Sequence, residues 1–175
     1  MQEYDQKKPL DEKMLGHYPR NVQTWQQTQV YDFQQKMGMY LPSQHHLGPQ
    51  LPPSTVAKLW FDLIAEEVQE LQKDMGFHPD PPQHASVNDM LVAIADDIGD
   101  ILYVVSGLAN VLNIPVHDVF DEIQRSNMTK LWPGGTVHRR EDGKILKPPG
   151  FEPPKLWPIL FPNTPQEVSE DASGS

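Results

Sequence analysis

Eighteen prolines are spread so unevenly along this 175-residue chain that they mark out its helices before any other pattern is read. Proline inside a helix removes a backbone donor and clashes with the preceding turn. Long proline-free stretches between proline clusters therefore read as helices joined by loops. Pro42, Pro49, Pro52 and Pro53 make one break, Pro79, Pro81 and Pro82 a second, and Asn113 with Pro115 a third. Between the breaks, apolar residues recur at steps of three and four, the helical period.

The spacing predicts a first helix from Asn21 to Met37, with Val22, Trp25, Val30, Phe33 and Met37 on its apolar side and Gly38 past its end. A second is expected from Thr55 to Met75, capped by Ser54 and closed by Gly76, with Val56, Leu59, Trp60, Leu63, Ile64, Leu71 and Met75 as its stripe. Ser86 caps a third, Val87 to Leu112, whose Leu91, Ile94, Ile98, Leu102, Val105 and Leu108 recur on period. Its second half, ILYVVSGLANVL, is apolar nearly all round, which implies cover on several sides. A short fourth helix, Val116 to Asn127, is expected to bury Val119, Phe120 and Ile123. Asp142-Gly143 between Val137 and Ile145 predicts a small hairpin or ordered turn. The fold class is thus all-α, a bundle of four to five helices with a Pro-rich C-terminal arm. The organisation expected is a polar extension over 1–20, a helical domain over 21–147, and a segment over 148–175 made of an extended arm (148–165) and an acidic, disordered tail (166–175).

Charge and cysteine content exclude several function classes. A net charge of -10 and a pI near 5.0 give no general attraction to nucleic acid polymers or anionic membranes. No apolar run is long enough to span a bilayer, and Met1 to Arg20 lacks the pattern of a signal peptide, so a cytoplasmic location is expected. With no cysteine, disulfides, thiolate zinc sites, iron–sulfur clusters and cysteine nucleophiles are all ruled out.

Two acidic clusters carry the functional argument. The second helix contains Glu66-Glu67-Val68-Gln69-Glu70 and the third Asp96-Asp97-Ile98-Gly99-Asp100, each with the form acid, acid, any, any, acid. On a helix these spacings put the carboxylates on one flank. Both runs lie in apolar sequence, where desolvating a charge is costly. Neither helix offers a Lys or Arg at a compensating spacing, so hard divalent cations are the natural partner. Antiparallel packing of the two helices would let the clusters face each other, with Gly99 permitting close approach. Either cluster alone is commonplace on a solvated helix. The repeat of one spacing in two apolar helices is what points to metal.

In that order, EExxE, then DxxD on the next helix, then Ser126-Asn127-Met128-Thr129-Lys130 after a short helix, the chain resembles the all-α nucleoside triphosphate pyrophosphohydrolases. These include the MazG-like enzymes, the dimeric dUTPases and phosphoribosyl-ATP pyrophosphohydrolase. The resemblance covers residues 28–154 and implies a MazG-like bundle that hydrolyses an NTP or dNTP to monophosphate and pyrophosphate, with two or more Mg2+ or Mn2+ ions per site. It implies Glu67, Glu70, Asp97 and Asp100 as metal ligands, and Glu66 as a further ligand or the group orienting the attacking water. Asp97 stands where relatives more often carry the longer Glu. Asn127 and Lys130 are expected to hold phosphate or sugar, and Phe33 to border the base. Arg139, Arg140, Lys144 and Lys147 form the one dense basic patch and could fold over a triphosphate. The substrate expected is a deoxynucleotide of the dUTP or dGTP type.

His117-Asp118 spells the HD pair of another phosphohydrolase class, but it opens a helix, where Asp simply favours the dipole. His45-His46 has no partner set for a metal. Two other functions fit the same composition, a non-enzymatic helical interaction protein and a phosphohydrolase releasing triphosphate. The apolar surplus of the third helix predicts a homodimer or homotetramer.

Overall fold

The computed structural model describes residues 24–43 and 48–164. The polar extension over 1–20, Val22, His45-His46 and the tail over 166–175 lie outside the described residues. Five helices follow in order, α1 (Trp25–Lys36), α2 (Ser54–Asp74), α3 (Val87–Leu112), α4 (Val116–Met128) and the single-turn α5 (Trp157–Leu160). No named strand occurs among the described residues. The expected hairpin is a turn with two isolated bridges, Trp132 with Thr136 and Arg139 with Ile145. Among the described residues, no helix is long and apolar enough to cross a membrane.

α3 is the axis of the bundle, with α1 and α2 both packed against it and α2 antiparallel to it. On the α2 side, Trp60 packs on Gly107 near one end, while Asp74 lies by Asp97 toward the other. The Trp60 ring, 4 % exposed, forms the core with Val104 and Val111, flanked by Val56, Leu63, Ile64 and Leu108. Gly107 is required there, because a Cβ would stand 2.3 Å from Trp60 Cη2 and Cζ3.

α1 docks differently from expectation. The helix begins at Trp25, four residues later than Asn21, because Thr24 is an extended N-cap in a reciprocal capping box with Gln27. Its expected apolar side is largely exposed: Trp25, Phe33 and Met37 all face outward. Val30 is buried as expected, but the residues beside it on the buried face are Gln27, Tyr31 and Gln34, again at helical spacing. Gln27 Nε2 donates to Ile114 O at 2.9 Å and Asn110 Oδ1 at 3.4 Å, and Gln34 Nε2 donates to Gly107 O at 3.0 Å. Asn110 Nδ2 donates to Gln27 O at 2.9 Å and Gln34 Oε1 at 3.0 Å. Every amide in this seam is satisfied, which is what permits its burial.

The remaining boundaries follow local chemistry. Ser54 is the first residue of α2, not its cap, since Val56 N and Ala57 N donate to Pro53 O. Ser86 caps α3 as expected, and Asn113 ends it in the left-handed conformation (φ 53°). The segment expected to be an extended arm contains α5 and is tied to α4. Ser126 Oγ donates to Glu152 O at 2.8 Å, and Glu122 accepts from Arg125 Nε at 2.7 Å and from Lys155 N at 2.6 Å. Many residues assigned to the core by period are exposed: Leu59 and Met75 on α2, Leu91, Ile98, Leu102 and Val105 on α3, and Phe120 and Ile123 on α4.

Two measurements check this packing. Gly107→Ala should lower stability by about 1–3 kcal/mol in urea denaturation, since the indole must move off its seat. The Arg125 and Lys155 donors hold Glu122 at about 2, below its ordinary 4.5. A depressed carboxylate stabilises above its unfolded value and loses that contribution as pH falls from 4.5 through about 2. Tryptic cleavage after Lys155 should therefore be slow at neutral pH and accelerate in Glu122→Gln.

Candidate active site

The antiparallel register of α2 and α3 brings the two acidic clusters face to face. Glu67 is pushed above the ordinary carboxylate range by burial, then by the charges of Asp100, Glu70, Glu66 and Asp97. Asp97 is pushed up by burial, then by the Asp74 and Glu70 charges. These six acids, drawn from two helices, thus act on one another, as clusters on facing flanks must. Glu66 is exposed at the rim. Asp97 is only 6 % exposed, and its Oδ2 is buried with no hydrogen-bond partner.

Asp74 and His84 belong to this site although the sequence analysis did not single them out. Asp74 stands four residues after Glu70, so it extends the same flank by one turn. His84, from the Pro-rich α2–α3 loop, places Nε2 3.3 Å from Asp74 Oδ1. Glu70, Asp74 and Asp97 line an open cavity of about 520 Å3 together with Lys73, His78, Asp80, Pro81 and Pro82. Lys73 corrects the expectation that neither helix carries a nearby cation. It lines the cavity, but no ion pair among the described residues joins it to these carboxylates.

Do these residues fit a divalent metal? The donor set is carboxylate oxygen, suited to hard cations, and one buried oxygen has no partner. Among the described residues, no three His, Asp or Glu side chains already converge as a closed shell. The acids are gathered on facing flanks rather than clenched, as mutual repulsion between uncompensated charges dictates.

A second hollow, about 280 Å3, lies on the other side of α3, lined by Trp25, Gln26, Gln29, Val30, Gly99, Leu102 and Tyr103. Gly99 opens toward space rather than a close neighbour, and its own neighbour Asp100 belongs to the acidic seam. Phe33 is not in this lining. It braces Tyr103 edge-on, centroids 5.8 Å apart at 74°.

The remaining candidates sit apart from the acids within the chain. Lys130 Nζ donates to Asn127 Oδ1 at 2.7 Å. Arg139 donates to Gly143 O at 2.9 Å, Arg140 pairs with Asp142, and Lys147 lies 4.2 Å over the Phe151 ring. Lys144 is fixed by its backbone N, which donates to Asp142 Oδ1 at 3.1 Å. No ion pair among the described residues links these basic groups to the acidic clusters. His117 faces Asp121 one turn along α4 at 3.6 Å, in keeping with a helix-end role for the HD pair.

A search of curated proteins finds no match to the chain. The family model for phosphoribosyl-ATP pyrophosphohydrolase matches residues 30–127, more than half of the chain. That span holds most of α1, all of α2 and α3, both acidic clusters, and α4 as far as Asn127. With an all-α bundle and facing carboxylate flanks inside the matched span, the chain belongs to the phosphoribosyl-ATP pyrophosphohydrolase family.

Proposed function

We propose that this protein hydrolyses a nucleoside triphosphate to its monophosphate and pyrophosphate, with Mg2+ or Mn2+ held by Glu67, Glu70, Asp97 and Asp100. The observation that carries this reading is the facing of two carboxylate flanks around a buried aspartate oxygen that has no partner. Divalent cations bound there would offset the charge of the phosphate oxygens and lower the pKa of a water. The chain's own residues do the rest. Glu66, exposed at the rim, orients the attacking water and takes its proton. Water adds to the α-phosphorus, the bond from that phosphorus to the bridging oxygen breaks, and pyrophosphate leaves.

The hollow beside Gly99 suits a base. Trp25 and Tyr103 offer aromatic surface, Phe33 steadies Tyr103, and the Gln26 and Gln29 amides offer both donors and acceptors. A deoxynucleotide of the dUTP or dGTP type is the substrate proposed. Asn127 and Lys130 bind phosphate or sugar. Arg139, Arg140, Lys144 and Lys147 exchange their local contacts for the triphosphate. The uncovered apolar residues of α3 and α4 favour a homodimer or homotetramer as the working form.

The decisive measurement is a turnover panel of all NTPs and dNTPs with Mg2+ and Mn2+, products separated by chromatography. Monophosphate plus pyrophosphate is expected; nucleoside plus triphosphate, or no turnover at all, would refute the assignment. Glu70→Gln and Asp100→Asn should each reduce turnover by about 100-fold or more. Neither should destabilise the metal-free protein, because each removes a charge that raises its neighbours. A raised carboxylate opposes folding once pH climbs past its unfolded value, so neutralising the cluster relieves that cost at neutral pH. Mn2+ should raise the wild-type melting temperature and raise it less in both variants. Light scattering at micromolar concentration should give a dimer or larger; a monomer would contradict the proposed assembly.

A further inference from the structure

The 520 Å3 cavity beside the acidic seam holds two donor side chains with no part in the chemistry described so far, Lys73 and His78. Lys73 stands one turn beyond Glu70 near the end of α2, so the run of acids that begins at Glu66 closes beside an ammonium group. Glu70 is within its reach at the i, i+3 spacing. Even so, no ion pair among the described residues joins Lys73 to Glu70 or to any other acid. His78 comes from the Pro-rich loop after α2. Asp80 N donates to its Nδ1 at 3.2 Å. A backbone N–H can only donate, so Nδ1 accepts and the ring proton sits on Nε2, which is left with a hydrogen bond to give. Asp80 O, 3.3 Å from Nδ1, is then a neighbour and not a partner. The other lining residues are carboxylates and the prolines 81 and 82, so Lys73 and His78 are the only side-chain donors the cavity presents. The hollow assigned to the base lies on the other side of α3, and the two spaces do not compete for the same part of a substrate.

We infer that this cavity is the leaving-group subsite, in which Lys73 and His78 hold the β- and γ-phosphates that depart as pyrophosphate. The inference rests on the metal-dependent reading above, because Glu70, Asp74, Asp80 and Asp97 line the same cavity and repel a bare polyphosphate. With Glu70 and Asp97 engaged by the proposed cations, phosphate oxygens are the strongest acceptors left to the Lys73 ammonium. As water adds to the α-phosphorus, the electron pair of the breaking bond stays on the bridging oxygen and leaves with the β-phosphate. The water's proton goes to Glu66. Negative charge therefore grows at the end of the substrate that Lys73 and His78 hold, and a fixed cation there favours the departure.

The test is calorimetric titration of the full chain with inorganic pyrophosphate at saturating Mg2+, which reads the subsite without turnover. Lys73→Met removes the charge and keeps an unbranched stem, and should weaken pyrophosphate binding by about 10-fold or more. Lys73→Arg keeps the charge and should retain most of the affinity. His78→Ala should weaken it by a smaller factor, since one neutral donor is lost. The monophosphate product of the substrate found in the turnover panel should bind Lys73→Met as it binds the wild type. Mn2+ alone should bind Lys73→Met at least as tightly, because a positive charge beside the carboxylates has gone. If Lys73 is only a counter-ion of the acids, pyrophosphate affinity in Lys73→Met stays the same or rises, which overturns the subsite and leaves the hydrolysis reading standing. Equal weakening of monophosphate and pyrophosphate, or equal loss in Lys73→Arg, also overturns it. Absence of turnover of every triphosphate by the wild type overturns both readings.

Discussion

The seating of Trp60 on Gly107 fixes more of this structure than any other contact. An indole can lie flat on a helix backbone only where no Cβ intervenes, and α3 offers that opening at one buried position. The contact sets both the separation and the register of α2 and α3. Because the helices run antiparallel, each step away from Trp60 along α2 is matched by a step back along α3. Glu67, two turns on, therefore meets Asp100, and Glu70 and Asp74 meet Asp97. An apolar seat at one end of the helix pair thus determines which charges confront each other at the other.

That confrontation is unfavourable by itself, and the fold tolerates it through division of labour along the same two helices. The Trp60 end supplies apolar burial, and the acidic end gives some of it back. Such an arrangement keeps the carboxylates close without collapsing them, so that the divalent cations proposed for this site would not have to draw together groups from distant parts of the chain. The cost is held locally, in a region flanked by open cavities, rather than spread through the core.

Sequence and structure agree where the chemistry is local and part company where it is collective. The bounds of α3 were legible because Ser86 and Asn113-Pro115 are strong terminal signals. The facing of the clusters was legible because identical spacings on neighbouring antiparallel helices must confront each other. The docking face of α1 was not. Its apolar spacing pointed to Trp25, Phe33 and Met37, and only the partner Asn110 on a distant stretch makes burial of Gln27 and Gln34 favourable. Asp74 was hidden by its position at the end of a helix, where a polar residue needs no special reason. His84 was hidden in a Pro-rich loop, since loop geometry decides its neighbour. The over-assignment of apolar residues to the core has a simple cause: helical period reveals a stripe, but the other described helices of one chain do not supply enough surface to cover that of α3.

The amide seam that binds α1 has a thermal consequence. Exposing apolar surface raises the heat capacity of a protein, while exposing polar surface lowers it. Detaching α1 would uncover Val30 and Tyr31 but also Gln27, Gln34 and Asn110, so the two contributions oppose each other. The free energy of detaching this helix should therefore vary almost linearly with temperature, with little of the curvature expected at the Trp60 seat, whose hydrophobic component weakens in the cold. One wall of the hollow beside Gly99 is thus carried by a helix whose attachment has a smaller heat-capacity signature than an apolar seat of the same area.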